Sequence, residues 1–179
     1  ALWVQERLAA VSGTDAIEGE FVALSAGEAE LAEFDSAGSY DLLTGTFSRQ
    51  RLYQGLQMSV AKACSAGGSG GYLVVDIDNF GLLNQAYGCR TGDLVLVALA
   101  ERLYRLLGAG ALLGRVGEDS FGIVIEGVDE DSTLALAERL VRGVAETPIP
   151  DMDGLTVTAS AGAVVFPMAA STAEEAMAR

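Results

Sequence analysis

Apolar positions between residues 40 and 179 repeat at two different spacings, and each spacing predicts one kind of secondary structure. Spacings of three and four residues predict amphipathic helices over 49–63, 91–107 and 132–145. A shorter stretch, 80–87, predicts a brief helix that ends at a glycine. Helices separated in this way by short apolar runs favour a mixed α/β fold.

Three short stretches predict strands. Residues 72–77 form a nearly continuous apolar run, which is typical of a strand buried on both faces. Residues 113–125 carry two apolar runs on either side of a polar tip and predict a β-hairpin. Residues 155–165 are rich in β-branched and small side chains and predict a further strand. Together with the helices, these strands predict an α/β sandwich in which helices cover one sheet.

Polar residues and glycines set the expected boundaries of these elements. Ser48 is expected to cap the first helix. Thr91 is expected to cap the third, with Asp93 in its first turn and Arg102 facing solvent. The glycine- and serine-rich stretch 65–71 predicts a flexible loop before the first long strand.

The chain is strongly acidic, with 25 acidic and 11 basic residues, a net charge of −14 and no histidine. This balance argues against binding to nucleic acids or anionic membranes, which require clustered lysine and arginine. The lack of histidine excludes histidine-based acid–base catalysis and a zinc site within this chain. Cys64 and Cys89 are expected to be buried thiols in a reducing compartment, so we expect a cytoplasmic protein. No apolar run approaches the roughly 20 residues that span a bilayer.

Residues 1–39 differ from the rest, because no chemistry-bearing pattern occurs in them. We expect a linker or the tail of an upstream domain. Since the chain begins at Ala1 rather than at methionine, we expect it to be an excerpt of a longer protein. A compact domain is predicted over 40–179, and its last helix, capped by Ser171 or Thr172, is cut off at the chain end.

Two carboxylates stand where the predicted strands end. Asp76 lies near the end of the strand 72–77, and Asp119 lies in the hairpin tip. If the hairpin pairs with that strand, both acids reach one edge of the sheet, where they can hold a divalent metal ion. Two plainer explanations stay open: Asp76 caps the next helix, or Asp119 keeps the tip soluble. Arg115, in the hairpin, is expected to pair with a nearby acid.

Six separated motifs carry a resemblance to a known family. They are Asp41–Gly45 with Arg49, Asp76–Phe80, Asn84 with Tyr87–Gly88, Gly92–Asp93, Arg115–Phe121 and Val157–Gly162. Their order and spacing are similar to those of GGDEF domains, which are diguanylate cyclases and their inactive relatives. The resemblance covers about 40–179. It implies the GGDEF (nucleotidyl cyclase-like) fold, an α/β sandwich with a mainly antiparallel sheet covered by helices.

The resemblance implies a metal site at the edge of the sheet. Asp76, the backbone carbonyl of Ile77 and Asp119 would bind Mg²⁺. Asp119 would also be the catalytic residue, placed to activate the 3′-hydroxyl of GTP. The chemistry is consistent, because Mg²⁺ prefers hard carboxylate oxygens.

The resemblance also implies a nucleotide site. Asn84 and Asp93 match the pair that hydrogen-bonds the guanine edge, and Phe80 belongs to the same nucleotide-binding set. An amide and a carboxylate together can satisfy the donors and acceptors of guanine. The plainer explanation is that Asn84 and Asp93 are helix-end residues.

Several departures from the family pattern affect the reaction. Glu118 replaces the second signature glycine, which costs roughly 1 kcal/mol of strain if φ stays positive, and adds negative charge toward a triphosphate. Ser120 replaces a metal-binding glutamate, and Gly81 replaces a phosphate-contacting lysine. The inhibitory product site of active members is an Arg-x-x-Asp motif. Its positions are Gly108 and Ala111 here, so feedback inhibition by cyclic di-GMP there is not expected.

These features predict a degenerate GGDEF domain of a cyclic di-GMP signalling protein. We expect a regulatory, nucleotide-binding or dimerisation module with impaired or absent cyclase activity, next to a phosphodiesterase domain. The expected partners are GTP, a second copy of the chain and adjacent signalling domains, with Mg²⁺ as the candidate cofactor. The alternative is an active diguanylate cyclase that condenses two GTP into cyclic di-GMP. It is favoured by four retained residues, Asp76, Asn84, Asp93 and Asp119.

Overall fold

The structure is a computed structural model and describes residues 38–150 and 152–178. The elements of this part are, in chain order, β1 (Phe47–Ser48), α1 (Arg49–Ala66), β2 (Gly70–Ile77), α2 (Phe80–Tyr87), α3 (Cys89–Leu107), β3 (Leu112–Arg115), β4 (Ser120–Glu126), α4 (Glu130–Ala145), β5 (Ala159–Phe166) and α5 (Ala173–Met177). The predicted order of helices, strands and hairpin is confirmed, and the two-residue β1 is an addition. The linker predicted over 1–39 lies outside the described residues, apart from its last two positions.

One sheet carries the five strands in the order β1-β3-β4-β2-β5. β1 runs parallel to β3, and the other neighbouring pairs are antiparallel. β2 lies between β4 and β5 and pairs with both along its length. The predicted hairpin is therefore β3–β4, with β2 beside it, and the expected mainly antiparallel sheet is confirmed.

Helices cover both faces of this sheet, and β2 shows how the sequence divides between them. Leu73, Val75 and Ile77 belong to a core cluster that also contains residues of α3 and α4. Tyr72, on the alternate face, belongs to a second cluster with residues of α1 and α5. Side chains alternate along a strand. Asp76 therefore lies on the α1 face, and at the strand end it is exposed.

The loop predicted over 65–71 is shorter in the structure, because α1 ends at Ala66 and β2 begins at Gly70. The prediction is therefore wrong at both ends of the stretch. Gly70 and Gly71 are the first residues of β2, and both are buried. A Cβ atom at Gly70 would lie 2.4 Å from the ring of Phe166 and 2.6 Å from the carbonyl oxygen of Ile125. Glycine is thus required by the close approach of β4 and β5 on either side.

The two predicted helix starts have different outcomes. Ser48 is confirmed as the N-cap of α1, since its Oγ accepts from the backbone N–H of Arg51 at 3.3 Å. Thr91 is not an N-cap, because α3 begins directly after Gly88, whose φ of 86° separates it from α2. Asp93 consequently lies beyond the first turn of α3.

Three side chains differ in exposure from the prediction. Arg102 is buried rather than facing solvent. Its guanidinium donates to the backbone carbonyl of Val144 and, at 3.0 Å, to that of Pro148, so it joins α3 to the end of α4. Cys64 and Cys89 are exposed, free thiols rather than buried ones, because each faces solvent on its helix.

The end of the domain follows the predicted order with a shifted boundary. The strand predicted over 155–165 is regular only from Ala159, because the preceding residues leave the ladder with β2. Thr172 is confirmed as the cap of α5, with its Oγ1 accepting from the backbone N–H of Glu175 at 3.2 Å. No helix in the described part of the chain is long and apolar enough to cross a membrane.

Candidate functional site

The end of β2 and the tip of the β3–β4 hairpin form one acidic edge of the sheet. Asp76 is the register partner of Ser120, the first residue of β4. One residue further, the backbone N–H of Ile77 donates to the carbonyl oxygen of Asp119 at 3.2 Å. The structure therefore brings Asp76, Ile77 and Asp119 together, as the strand pattern predicts, and their role as metal ligands stays a prediction.

The donor set at this edge fits one magnesium ion shared with a phosphate ligand. Asp76 and Asp119 supply hard carboxylate oxygens, the kind that Mg²⁺ takes in ones and twos alongside substrate phosphates. Within residues 38–150 and 152–178, no group of three or more acidic, cysteine or histidine side chains is placed to hold a metal. Ser120, the register partner of Asp76, brings a hydroxyl rather than a carboxylate to this edge, and its Oγ lies 3.4 Å from Oδ1 of Asp119. A metal here depends on oxygens supplied by its ligand.

Glu118 fits the hairpin tip without backbone strain. The only non-glycine residues of the described chain with positive φ are Asn79 and Asp153. The strain considered for Glu118 therefore does not arise, since that residue keeps an ordinary φ. Gly117 is the residue whose size matters, because a Cβ atom there would lie 2.9 Å from Oγ of Ser120. What Glu118 adds to the edge is negative charge.

Arg115 holds the tip to the segment before α1. Its Nη2 donates to the carbonyl oxygen of Glu118 at 2.6 Å, and its Nη1 lies 3.5 Å from Oδ1 of Asp41. The expectation that Arg115 pairs with a nearby acid is confirmed, and the acid is Asp41. Burial alone would raise the pKa of Asp41, but hydrogen bonds from Thr44 and the charge of Arg115 outweigh burial and hold that pKa below its usual value. This arrangement fixes the backbone next to Asp119.

We expect the stability contributed by Asp41 to depend on pH. Because its pKa is lowered in the folded state, its contribution is present above the ordinary value of 3.8 and is lost as the pH falls through the lowered value. At pH 7, Asp41→Asn should reduce the free energy of unfolding by about 1–2 kcal/mol. This difference should shrink below about pH 4. Urea unfolding at both pH values measures it, with the exposed Glu138→Gln as the control; an equal loss at both values would contradict the account.

The proposed guanine-binding residues lie at the contact between α2 and α3. Oδ1 of Asn84 is buried without a hydrogen-bond partner, and it would lie 1.9 Å from a Cβ atom on Gly92. Asp93, the next residue, is exposed. Asn84 thus lies beside Gly92, the neighbour of Asp93 in the chain. That Asn84 and Asp93 bind guanine stays a prediction. Phe80 is 4% exposed and belongs to the core, so its ring packs α2 against α3.

Asp78 is a residue whose role the sequence did not reveal. Its carboxylate accepts from the hydroxyls of Thr158 and Ser160, both at 2.7 Å. These two hydrogen bonds lower its pKa. They fix the turn that leads from Asp76 to Phe80. The available signal was the i, i+2 spacing of the two hydroxyl residues, which places them on one face of a strand.

The positions of the family's inhibitory product site lie away from the acidic edge. Gly108 and Ala111 are in the turn between α3 and β3. Ala111 borders a cleft of about 1340 Å³ that also touches α1, the end of β4 and α4. Neither residue has a polar side chain, and the absence of an inhibitory product site there stays a prediction.

Comparisons with known proteins agree with this geometry. The sequence model of the family described as "Diguanylate cyclase, GGDEF domain" matches residues 38–179. The bifunctional diguanylate cyclase/cyclic di-GMP phosphodiesterase MucR of Pseudomonas aeruginosa is 30% identical over 138 residues, which are 77% of this chain and 20% of that protein. Diguanylate cyclase DosC of Escherichia coli is 30% identical over 128 residues, which are 70% of this chain and 28% of that protein.

Solved structures give the same result for the fold. The crystal structure of a sensory box/GGDEF family protein from Caulobacter crescentus matches with a TM-score of 0.71 and 33% identity, over 78% of this chain and 91% of that chain. The GGDEF domain of PA1120 from Pseudomonas aeruginosa matches with a TM-score of 0.71 and 27% identity, over 78% and 82%. The chain spans only 20% and 28% of the curated relatives named above.

Proposed function

Because the chain belongs to the GGDEF domain family of cyclic di-GMP signalling proteins, we propose that it is a degenerate member that regulates rather than catalyses. In this proposal it binds GTP, or only dimerises, and passes a signal to a neighbouring domain. The observation that carries the proposal is Ser120, which stands beside Asp76 and Asp119 where a third carboxylate would complete the metal site.

The chemistry of phosphoryl transfer supports this assignment. Such reactions gain most of their rate from positive charge that neutralises the phosphates, and two metal ions can clamp the attacking and leaving oxygens. With two carboxylates, the acidic edge has donors for one ion. Glu118 adds an uncompensated negative charge at the tip, and Gly81 offers no side chain to a phosphate. Each change weakens the stabilisation of a triphosphate in the transition state.

The remaining residues support nucleotide binding. Asp76, the carbonyl of Ile77 and Asp119 would hold Mg²⁺, whose charge offsets that of the triphosphate when it is bound. Asn84 and Asp93 would recognise the guanine edge by hydrogen bonds. Binding of this kind needs one ion and no reacting partner, so it survives the loss of the third acid.

We also propose which domains adjoin this one. One relative, MucR, is described as both a diguanylate cyclase and a cyclic di-GMP phosphodiesterase, and this chain covers 20% of it. We place a phosphodiesterase domain next to the present one and a second copy of the chain as its dimer partner. A cytoplasmic location suits a domain that binds GTP and carries exposed free thiols.

A second candidate function is an active diguanylate cyclase. It is favoured by the close placement of Asp76 and Asp119, which keeps half of the metal site. In this case Asp119 would accept the proton of the 3′-hydroxyl of one GTP as that oxygen forms a bond to the α-phosphorus of the other GTP, held by a second copy of the chain. The bond from that phosphorus to the β-phosphate would break, and pyrophosphate would leave.

GTP binding is tested by thermal unfolding with and without nucleotide. At 1 mM GTP with Mg²⁺, we expect Tm to rise by about 3 °C, the shift for a dissociation constant near 0.1 mM. The rise should disappear in Asn84→Ala and persist in the control Asp131→Asn, which alters an exposed acid of α4. An unchanged Tm at millimolar GTP would contradict nucleotide binding and leave dimerisation as the role of the domain.

A further inference from the structure

The outer side of β3 is covered by β1 over only half its length, and a cleft with basic walls lies beside the uncovered half. We propose that this edge binds an extended acidic segment of a partner protein, which adds to the sheet as a further strand. The surface lies far from the acidic edge, because Ser120 and Glu126 are the two ends of β4, about 20 Å apart. The proposed contact is therefore separate from the nucleotide site, and it holds whether or not GTP binds.

The short length of β1 leaves the first half of β3 open. The two residues of β1 pair with Gly114 and Arg115. On its other side, β3 pairs with β4 from Leu112 onward. Among the described strands, none pairs with Leu112 or Leu113 on the outer side of β3. An uncovered edge of this kind presents backbone donors and acceptors to which another extended chain can pair.

The hydrogen bonds of the hairpin show which backbone groups face outward. The N–H of Val116 donates to the carbonyl oxygen of Ser120 at 2.9 Å, so these two residues form a hydrogen-bonded pair beside the tip. In an antiparallel ladder such pairs recur at every second residue. Gly114 and Leu112 are therefore bonded to β4. Ala111, which borders the cleft, directs its own N–H and C=O to the outer side.

Helices α1 and α4 form the walls of the cleft. They cover opposite faces of the sheet, so a cleft of about 1340 Å³ that touches both lies across the sheet edge. On the α1 wall, the side chain of Met58 is 40% exposed, and on the α4 wall Leu136 is half-buried. Successive side chains of a strand point to opposite faces. A strand added here would therefore direct one set of side chains toward α1 and the other toward α4.

The charge of the cleft favours an acidic partner. Although the chain has a net charge of −14, three of its eleven basic side chains line this cleft: Lys62, Arg139 and Arg142. Glu126, the acid that lines it, is paired with Lys62 at 2.6 Å. Neither Arg139 nor Arg142 belongs to an ion pair in the described part of the chain.

The α4 wall also holds one of its arginines in place. Nη2 of Arg139 donates to the carbonyl oxygen of Leu106 at 3.2 Å, and the side chain stays exposed. This contact fixes the guanidinium at the mouth of the cleft, with further N–H donors left for a ligand. A segment with carboxylates at every second position would place them against Arg139 and Arg142, and its apolar side chains against Met58.

The first test measures binding of a synthetic strand to the full chain without nucleotide. The ligand is the end-blocked hexapeptide Val-Glu-Val-Glu-Val-Glu with a fluorescent label, followed by anisotropy. We expect a dissociation constant of about 10–100 µM. Combining Arg139→Gln with Arg142→Gln should weaken binding about 10-fold, because two charge-assisted contacts are lost. Arg90→Gln, which removes an exposed arginine at the other end of α3, is the matched control and should leave the affinity unchanged.

A second test separates strand addition from binding of a charged group alone. An added strand bonds to its neighbour through every second residue only. Methylating the backbone nitrogens of the three valines, or those of the three glutamates, keeps the charge of the peptide. One of these two peptides should bind at least about 10-fold more weakly than the parent, and the other should bind like it. Hydrogen exchange at the N–H of Ala111 should slow at least about 5-fold with the parent peptide bound, while the amides of α2 keep their rates.

Four outcomes would overturn the proposal. Absence of binding at 1 mM peptide would remove the docking role of this edge. Equal affinities of both methylated peptides and the parent would show that the peptide does not join the sheet. An unchanged exchange rate at Ala111 with the peptide bound would place the peptide elsewhere. If 10 mM inorganic phosphate at constant ionic strength displaced the parent and both methylated peptides alike, the arginines would take a free anion.

Discussion

Restoring two side chains at the hairpin tip is expected to raise the rate of cyclic di-GMP formation by about 100-fold, the usual contribution of one positioned catalytic group. The variant combines Ser120→Glu with Glu118→Gly. Position 120 is the register partner of Asp76 and directly follows Asp119, so a glutamate there joins two acids already in place. Glycine at 118 removes the negative charge that opposes a triphosphate.

The same experiment separates charge from shape. A second variant combines Ser120→Gln with Glu118→Gly. Its glutamine has nearly the same size and conformational freedom as the glutamate of the first variant but lacks the third carboxylate. The rate of this variant should rise by no more than a few-fold. Because Glu118 has an ordinary φ, neither variant relieves strain, so a change in rate reflects chemistry at the edge. Equal rates in both variants would contradict a role for the missing acid.

Gly70→Ala is expected to reduce the free energy of unfolding by about 3 kcal/mol, as overpacking at a tight contact does. The added methyl group would lie 2.6 Å from the carbonyl oxygen of Ile125 and 2.4 Å from the ring of Phe166. The first of these atoms is backbone, so relief requires β2 to move away from β4. Urea unfolding measures the loss, and the displaced strand is the one that positions Asp76.

Gly81→Ala is the matched control for this substitution. Gly81 lies in α2, and nothing is within 4 Å of a Cβ atom built there. Alanine is the better helix former, so stability should stay the same or rise by up to about 1 kcal/mol. If both alanine variants lost the same stability, the close packing of β2 between β4 and β5 would be contradicted.

The periodicity of the sequence predicted the acidic edge because strand register follows from it. Asp76 and Asp119 lie at the ends of apolar strands. Because the apolar faces of these strands must be buried, few registers of pairing are possible. Pairing the two strands therefore brings the two acids together. That Arg115 has an acidic partner was predictable from its charge. That the partner is Asp41 was not, because the segment 41–48 reaches the hairpin through the parallel pairing of β1 with β3.

Two of the errors have a common physical cause, which is that the deciding contact is distant in sequence. Gly70 looks like part of a loop because its burial comes from Phe166, 96 positions away in the chain. Arg102 looks like a surface residue because its acceptors are carbonyls at the end of α4. The error at Thr91 is different and local: Thr91 looks like a cap, yet the positive φ of Gly88, three residues earlier, already separates the two helices. Local pattern gives the type of element, and tertiary contacts decide its ends.

We propose that an intact GGDEF fold carries an incomplete active site in this chain. The most direct measurement is the amount of cyclic di-GMP that the wild-type chain forms from GTP and Mg²⁺, compared with Asp119→Ala and with the Ser120→Glu/Glu118→Gly variant. We expect wild type and Asp119→Ala to form equally little product and the restored variant to form about 100 times more. Wild-type product at the rate of the restored variant, lost in Asp119→Ala, would contradict the claim and establish an active diguanylate cyclase.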